Sequence, residues 1–284
     1  MSLRAIKPEG TKKRLKAFLY GNAGTGKTTC AISFPRVYLI DTEKGAEHSQ
    51  YTDLLSKGGG VVFQTNDFDE VLSEVKALLS EKHEYKTLVI DSFTNLYNDL
   101  LDKSAARNGT EFGRHYADAN KQIKNLLNLL LRVDMNILIT CHSKTEYGSN
   151  LAVIGNTYDG YKKLDYLFDL VFEIQKRGAD RVALIKKSRI AGLPDGESFP
   201  FSYDEIAERY GRDVLERDAV AQELATDEQV VELKRLISSL KISPDVWSKW
   251  LAKSESETFY EMPRDSIEKC ISFLTSKEPQ TTGA

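Results

Sequence analysis

The chain has 284 residues, of which 41% are hydrophobic and 29% charged, with a formal net charge of −3 at pH 7. That length holds one α/β domain of ordinary size plus a small appendage, and the composition is that of a globular protein with a real core. No apolar run approaches the roughly 18 residues of a membrane span, no secretory leader is expected, and the acidic balance excludes a globally basic coat for nucleic acid while leaving room for a local site.

The N-terminus is basic, with Arg4, Lys7, Lys12, Lys13, Arg14 and Lys16. Ala17, Phe18, Leu19 and Tyr20 then suit a short buried strand, and residues 28–34 suit a helix. Between them, Gly21, Asn22, Ala23, Gly24, Thr25, Gly26, Lys27 and Thr28 match G-x-x-x-x-G-K-[ST] at every fixed position. The glycines let the backbone curl, so that successive N–H groups and the positive end of the helix face a polyphosphate. Lys27 adds a full charge, Thr28 offers a hydroxyl to Mg²⁺, and Thr29 continues the cradle. A nucleoside triphosphate site is the firmest implication of the sequence.

Residues 37–41 read as a second buried strand, ending in Asp41, Thr42 and Glu43. Acidic groups past the carboxyl end of a parallel strand lie where α/β sheets bind ligands, although a solvated loop or a helix cap produces the same pattern. Gly58, Gly59 and Gly60 lead into a third strand at residues 61–63. Phe68, Val71, Leu72, Val75, Leu78 and Leu79 then recur at helical spacing, as core packing requires.

Residues 87–92 form an apolar run that ends in Asp91 and Ser92, the form of the second nucleotide-site motif of P-loop proteins, in which Asp91 holds Mg²⁺. Many AAA-type ATPases place a catalytic Glu directly after this Asp, and here the position is Ser92. The group that orients water must come from elsewhere, which favours Glu43.

Residues 103–115 read as a polar, mobile loop containing Arg107 and Arg114, followed by a long helix and a strand at residues 137–140. That strand leads to Cys141, His142 and Ser143. His142 there is either a sensor of the γ-phosphate or a structural hydrogen-bonder. Residues 144–163 are polar and Gly-rich, and read as a second long loop in which Lys144, Tyr147, Tyr158, Tyr161, Lys162 and Lys163 mix cations with aromatics. Residues 164–174 resume an apolar pattern, residues 181–185 form a strand that runs into Lys186, Lys187, Ser188 and Arg189, and residues 199–203 close the sheet. The cations suit phosphate contact or a solvated surface.

Three cysteines, Cys30, Cys141 and Cys270, lack metal-type spacing, so no disulfide framework or zinc site is expected and a reducing cytosol fits. The expected organisation is a core over residues 1–215 with its basic arm, a linker at 216–225, a small all-helical module at 226–277 and a disordered tail at 278–284. Thr226 to Gln229 spells a capping box, Pro244 and Pro263 open further helices, and Trp247 and Trp250 are expected in the core of the module.

With these residues assembled, the chain resembles the ATPase core of the RecA/RadA recombinases, and most closely the phage RecA-like ATPases of the single-strand-annealing group. The resemblance rests on the phosphate loop, on Glu43 after the second strand, on Asp91 followed by Ser92, and on a polar residue after the next strand, where the family usually has Gln and this chain has His142. It implies an α/β fold with a mainly parallel sheet flanked by helices, ATP and Mg²⁺ as cofactors, and ATP hydrolysis at interfaces of a ring or filament of identical subunits. It also implies paired cations, Lys187 and Arg189, reaching a neighbouring subunit's ATP. Single-stranded DNA is implied on two loops, with Arg107, Arg114, Lys144, Tyr158, Tyr161, Lys162 and Lys163 as contacts, in the cytoplasm of a bacterial or phage-infected cell. A further recombination or replication protein could dock on the C-terminal module. The same core would serve an assembly ATPase that binds protein partners and no DNA, whereas a small-molecule kinase lacks an evident Arg-rich lid.

Overall fold

A computed structural model of the chain describes residues 13–45, 49–148 and 150–277. The expected basic arm through Lys12 and the tail 278–284 lie outside the described residues. The chain divides into two compact units. The first draws its described residues from Met1–Val71, Glu84–His115 and Asp134–Ala219, and the second from Leu72–His83, Tyr116–Val133 and Val220–Ala284.

The first unit is built on a sheet. Strand β1 (Lys16–Gly21) is buried along its whole length and leads through the phosphate loop into the short helix α1 (Lys27–Ala31). Next come β2 (Val37–Asp41), α2 (Ser49–Lys57), β3 (Val61–Gln64), α3 (Phe68–Ser80) and β4 (Thr87–Asp91). The apolar runs of β1, β2 and β4 show no alternation because both of their faces are covered. Helix α4 (Phe93–Asn108) starts at Ser92, whose side chain accepts a hydrogen bond from the Asn95 N–H. Helix α5 (Arg114–Arg132), which belongs to the second unit from Tyr116 as α3 does from Leu72, is followed in the chain by β5 (Asn136–Tyr147), β6 (Val153–Tyr158), α6 (Leu164–Leu167), β7 (Leu170–Arg177), β8 (Asp180–Ser188), β9 (Ser198–Pro200), α7 (Tyr203–Tyr210) and α8 (Arg212–Glu216).

The sheet order is β3-β2-β4-β5-β1-β7-β8-β9, with β6 paired to β5. Every pairing from β3 to β7 is parallel, and β8 and β9 extend the sheet antiparallel. This is the expected α/β class. Leu19, Phe34, Leu39, Val89, Leu138 and Phe172 belong to one core cluster of this unit. At its lower rim, the nearly buried Arg14 bonds Asp134 at 3.2 Å and the carbonyls of Val214 and Asp218.

Two stretches that read as loops are largely regular. Helix α4 runs on to Asn108 and stops at Gly109, whose φ of 69° ends the helix, and a single 3-10 turn (Glu111–Gly113) precedes α5. Residues 144–158 form a hairpin, in which β5 continues past the sheet and pairs antiparallel with β6. The glycines and polar residues suggest a loop, but Thr145, Tyr147, Val153, Ile154, Thr157 and Tyr158 are strand formers, and the Gly148 N–H donates to the Ala152 carbonyl at 2.8 Å between the two strands. The apolar pattern of residues 164–174 is divided between α6 and the start of β7. The last strand is Ser198–Pro200, because Ser202 caps a helix at Tyr203.

In the second unit, α9 (Asp227–Ser239) opens with the full capping box of Thr226 and Gln229. Ser243 and Pro244 start α10 (Pro244–Lys253), and α11 (Arg264–Thr275) follows. Val230, Leu233, Leu236, Met262, Ile267 and Leu274 are its core, with Trp250 packed against them and Trp247 edge-on to Phe259 at 5.7 Å. Lys76 and Arg132, from segments earlier in the chain, hold the buried Glu261 by its carboxylate at 2.9 Å and its carbonyl at 2.8 Å. Among the described residues no helix is long and apolar enough to cross a membrane.

Candidate nucleotide site

Parallel pairing sends the carboxyl ends of β1, β2, β4 and β5 to one rim, where α/β sheets bind ligands. The register is close: Gly21 pairs with His142, and Asp41 with Asp91. The loops leaving these strands therefore open together. They surround a cleft of about 440 Å³ lined by Gly21, Asn22, Ala23, Gly24, Lys27, Thr28, Glu43, Tyr51, Asp91, His142 and Ser143.

The phosphate loop has the backbone its sequence requires. Gly26 sits at φ 88°, a left-handed conformation that side chains disfavour. Gly21 is needed for a different reason: a methyl there would lie 2.4 Å from the Ile174 carbonyl oxygen of β7. Thr25 closes the turn by donating its hydroxyl to the Asn22 carbonyl at 2.9 Å. Lys27 Nζ donates to the carbonyls of Gly21 and Asn22 at 2.9 and 3.1 Å. Burial pulls the Lys27 ammonium below its ordinary value, against the opposing charges of Asp91 and Glu43.

Asp91 is buried, and its two oxygens accept hydrogen bonds from Thr28, at 2.5 Å, and from Thr140. Burial raises the Asp91 carboxyl above its usual range, although both hydroxyls favour the ionised form. A hydroxyl and a carboxylate beside a phosphate loop are hard oxygen donors of the kind Mg²⁺ takes, the rest of its shell being phosphate and water. The residues present fit that ion. Among the described residues no group of three or more His, Cys, Asp or Glu is arranged to hold a metal by itself.

Glu43 stands across the cleft. Its Oε1 lies 2.7 Å from His142 Nε2, which donates to the ionised carboxylate, and Ser92 Oγ lies 3.4 Å from the same nitrogen. Burial alone would raise Glu43, but hydrogen bonds with Ser92 and His142 and the charge of Lys27 hold it below the usual carboxylate range. The surrounding backbone is tied down as well. Thr42 Oγ1 donates to the Ser92 carbonyl and accepts from the Ser92 N–H, both at 2.9 Å. The His142 N–H donates to Thr94 Oγ1, whose hydroxyl donates to the Asp159 carbonyl. Ser143 Oγ donates to Asn22 Oδ1, joining β5, just past its last pairing with β1, to the phosphate loop.

The structure does not bring Lys187 and Arg189 to this cleft. Strand β8 runs antiparallel to β7, so its first residues reach the phosphate-loop rim and its last lie at the opposite end of the strands. There Lys187 donates to the carbonyls of Asp165 and Phe168, and Arg189 reaches Asp169 and the Tyr166 carbonyl. Of the expected DNA contacts, Arg107, Arg114, Lys162 and Lys163 are exposed, while Lys144 pairs with Asp159 at 3.0 Å. The Tyr158 and Phe18 rings pack edge-to-face at 5.0 Å, and those of Tyr161 and Tyr97 at 6.2 Å, so each of these tyrosines has an aromatic partner within the chain.

Sequence reasoning missed Thr140, Ser143 and Arg181. A hydroxyl closing the apolar run 137–140 was the only signal for the first. Arg181 lines a second cleft of about 630 Å³ with Gly24, Gly26, Thr29, Tyr51 and Tyr203.

No curated protein matches the sequence. A crystal structure of the RadB recombinase is similar to it with a TM-score of 0.43 and 21% identity, over 64% of this chain and 84% of that one. The sequence profile described as AAA domain matches residues 13–198, a span that contains the phosphate loop, Glu43, Asp91, His142, Lys187 and Arg189, and the chain therefore belongs to the AAA domain family of P-loop ATPases.

Proposed function

We propose that the chain binds Mg·ATP in the cleft at the carboxyl ends of β1, β2, β4 and β5 and hydrolyses it, using Glu43 to orient the attacking water. The observation that carries this reading is the meeting of Glu43, Ser92 and His142 opposite Lys27, Thr28 and Asp91. Bound Mg²⁺ would offset charge on the phosphate oxygens, and Thr28 and Asp91 are the residues to hold it. The loop N–H groups and Lys27 bind the phosphates. Glu43, held ionised, accepts a hydrogen bond from water and takes its proton as the oxygen adds to the γ-phosphorus and ADP departs with the bonding electrons. His142 and Ser92 fix the orientation of Glu43. Lys187 and Arg189 serve a neighbouring copy, since Lys187 lies near the end of β8 remote from the cleft and Arg189 just beyond it.

In this reading the core of residues 1–215 works as a ring or filament in DNA recombination or single-strand annealing, of the phage RecA-like kind, with residues 226–277 as a docking module. Support comes from the exposed cations Arg107, Arg114, Lys162 and Lys163, together with the order of the site motifs. Titration of a labelled single strand with the protein, with and without Mg·ATP, tests it: ATP-dependent binding that weakens with salt is expected. A second reading, an assembly ATPase acting on protein partners, is favoured by the hairpin tip. There Tyr147, Leu151, Val153 and Ile154 are exposed and apolar. Absence of ATP-dependent DNA binding would select it.

A further inference from the structure

The phosphate loop separates two clefts. Both are lined by Gly24 and Tyr51, but Lys27, Glu43 and Asp91 line only one, and Gly26, Thr29 and Arg181 only the other. A triphosphate laid on the loop with its γ-end toward Glu43 and Asp91 must send its nucleoside end elsewhere, and the second cleft adjoins the loop.

Arg181 is unusually placed for a cation on β8. Pairing with Lys176 of β7 sets it at the phosphate-loop rim, whereas Lys187 of the same strand is at the far end. Its side chain runs along the loop: a methyl on Gly26 would lie 3.7 Å from Arg181 Cγ, Cδ and Nε. The guanidinium donates to the nearby carbonyls of Ala179 and Asp180 at 3.1 and 3.4 Å, and among the described residues it forms no ion pair with a carboxylate. A planar cation beside the loop, with no carboxylate on it, is suited to lie against a nucleobase.

We propose that Arg181 packs its guanidinium against the nucleoside half of ATP bound to the same chain. This rests on the nucleotide reading above and adds a cation acting in cis to the two assigned in trans. The contact is the same for ATP, for the transition state and for ADP, so it contributes uniform binding: KM depends on it and kcat does not.

Calorimetric titration of the full chain with Mg·ATP, Mg·ADP and inorganic tripolyphosphate tests the assignment on Arg181→Ala, Arg181→Gln and Lys27→Ala. Arg181→Gln keeps the stem on Gly26 and is the variant to read if truncation lowers thermal stability. Each Arg181 variant is expected to weaken ATP and ADP alike by about fivefold to tenfold, to leave tripolyphosphate unchanged, and to keep kcat within about twofold. Unchanged ATP and ADP affinities would overturn the proposal. So would an equal loss for tripolyphosphate, which would make Arg181 a phosphate contact. Lys27→Ala is expected to lose all three ligands; wild-type binding by that variant would instead remove the phosphate loop from the site, and the Arg181 assignment with it.

Discussion

His142 Nε2 and Glu43 Oε1 are 2.7 Å apart although β5 and β2 are not neighbours in the sheet. Strand β4 lies between them, and the residue after it, Ser92, completes the group. Adjacent strand ends thus build one constellation over the phosphate loop, with the Glu43 carboxylate supplied just after β2 and the Asp91 carboxylate by the end of β4.

Removing the ring that holds Glu43 should lower turnover more than binding. His142→Ala is expected to reduce kcat by about tenfold to a hundredfold, with the affinity for Mg·ATP nearly unchanged, because the carboxylate remains but its orientation is lost. His142→Gln, which can still donate, should recover part of the rate. Steady-state kinetics with a parallel titration of ATP binding reads both.

Thr140 donates to Asp91 from the next strand. Burial already raises the Asp91 carboxyl, and Thr140→Val removes a hydrogen bond that favours its ionised form. The variant should need about threefold to tenfold more Mg²⁺ for half-maximal hydrolysis, with its rate at saturating Mg²⁺ largely kept.

The positions of Lys187 and Arg189 predict complementation. Lys187→Ala or Arg189→Ala alone should lose about 10³-fold or more in turnover while retaining ATP binding. Mixing Lys187→Ala with Lys27→Ala subunits should restore part of the activity, since an interface can then combine an intact loop from one chain with intact cations from the other. No recovery over a range of mixing ratios would argue that the cations do not act across subunits.

Asp134 bonds Arg14 at 3.2 Å and Arg217 at 2.7 Å. Burial alone would raise its carboxyl, but hydrogen bonds from Arg217 and Arg14 hold it below the usual range. Its stabilisation is therefore complete above the ordinary Asp value of about 3.9 and fades as pH falls through the lower folded value. Asp134→Asn should cost about 1–3 kcal/mol at neutral pH, because Arg14 is left buried without its counter-charge, and thermal unfolding should show the gap closing in strong acid.

Much of the site could be read from the chain because its signals are local. The spacing from Gly21 to Thr28 fixes a loop conformation, and the apolar runs ending in Asp41 and Asp91 fix which residues stand at strand ends. The absence of Glu after Asp91 pointed to Glu43 before any topology was known. Three features were not legible. Hairpin 144–158 was hidden because its strand formers are mixed with polar residues and glycine, and the pairing that orders them is between strands. The rim at which Lys187 and the following Arg189 stand depends on the antiparallel direction of β8, which composition does not encode. Tyr158 and Tyr161 read as free aromatics because their partners, Phe18 and Tyr97, are remote in sequence.

The most direct measurement is steady-state hydrolysis of Mg·ATP by the full chain, with and without single-stranded DNA, beside Glu43→Gln and Lys27→Ala. Turnover is expected to fall by about 10²-fold or more in Glu43→Gln with ATP still bound, and to be lost with binding in Lys27→Ala. DNA is expected to raise the wild-type rate. Wild-type turnover in Glu43→Gln would contradict the assignment of Glu43 as the group that orients the attacking water.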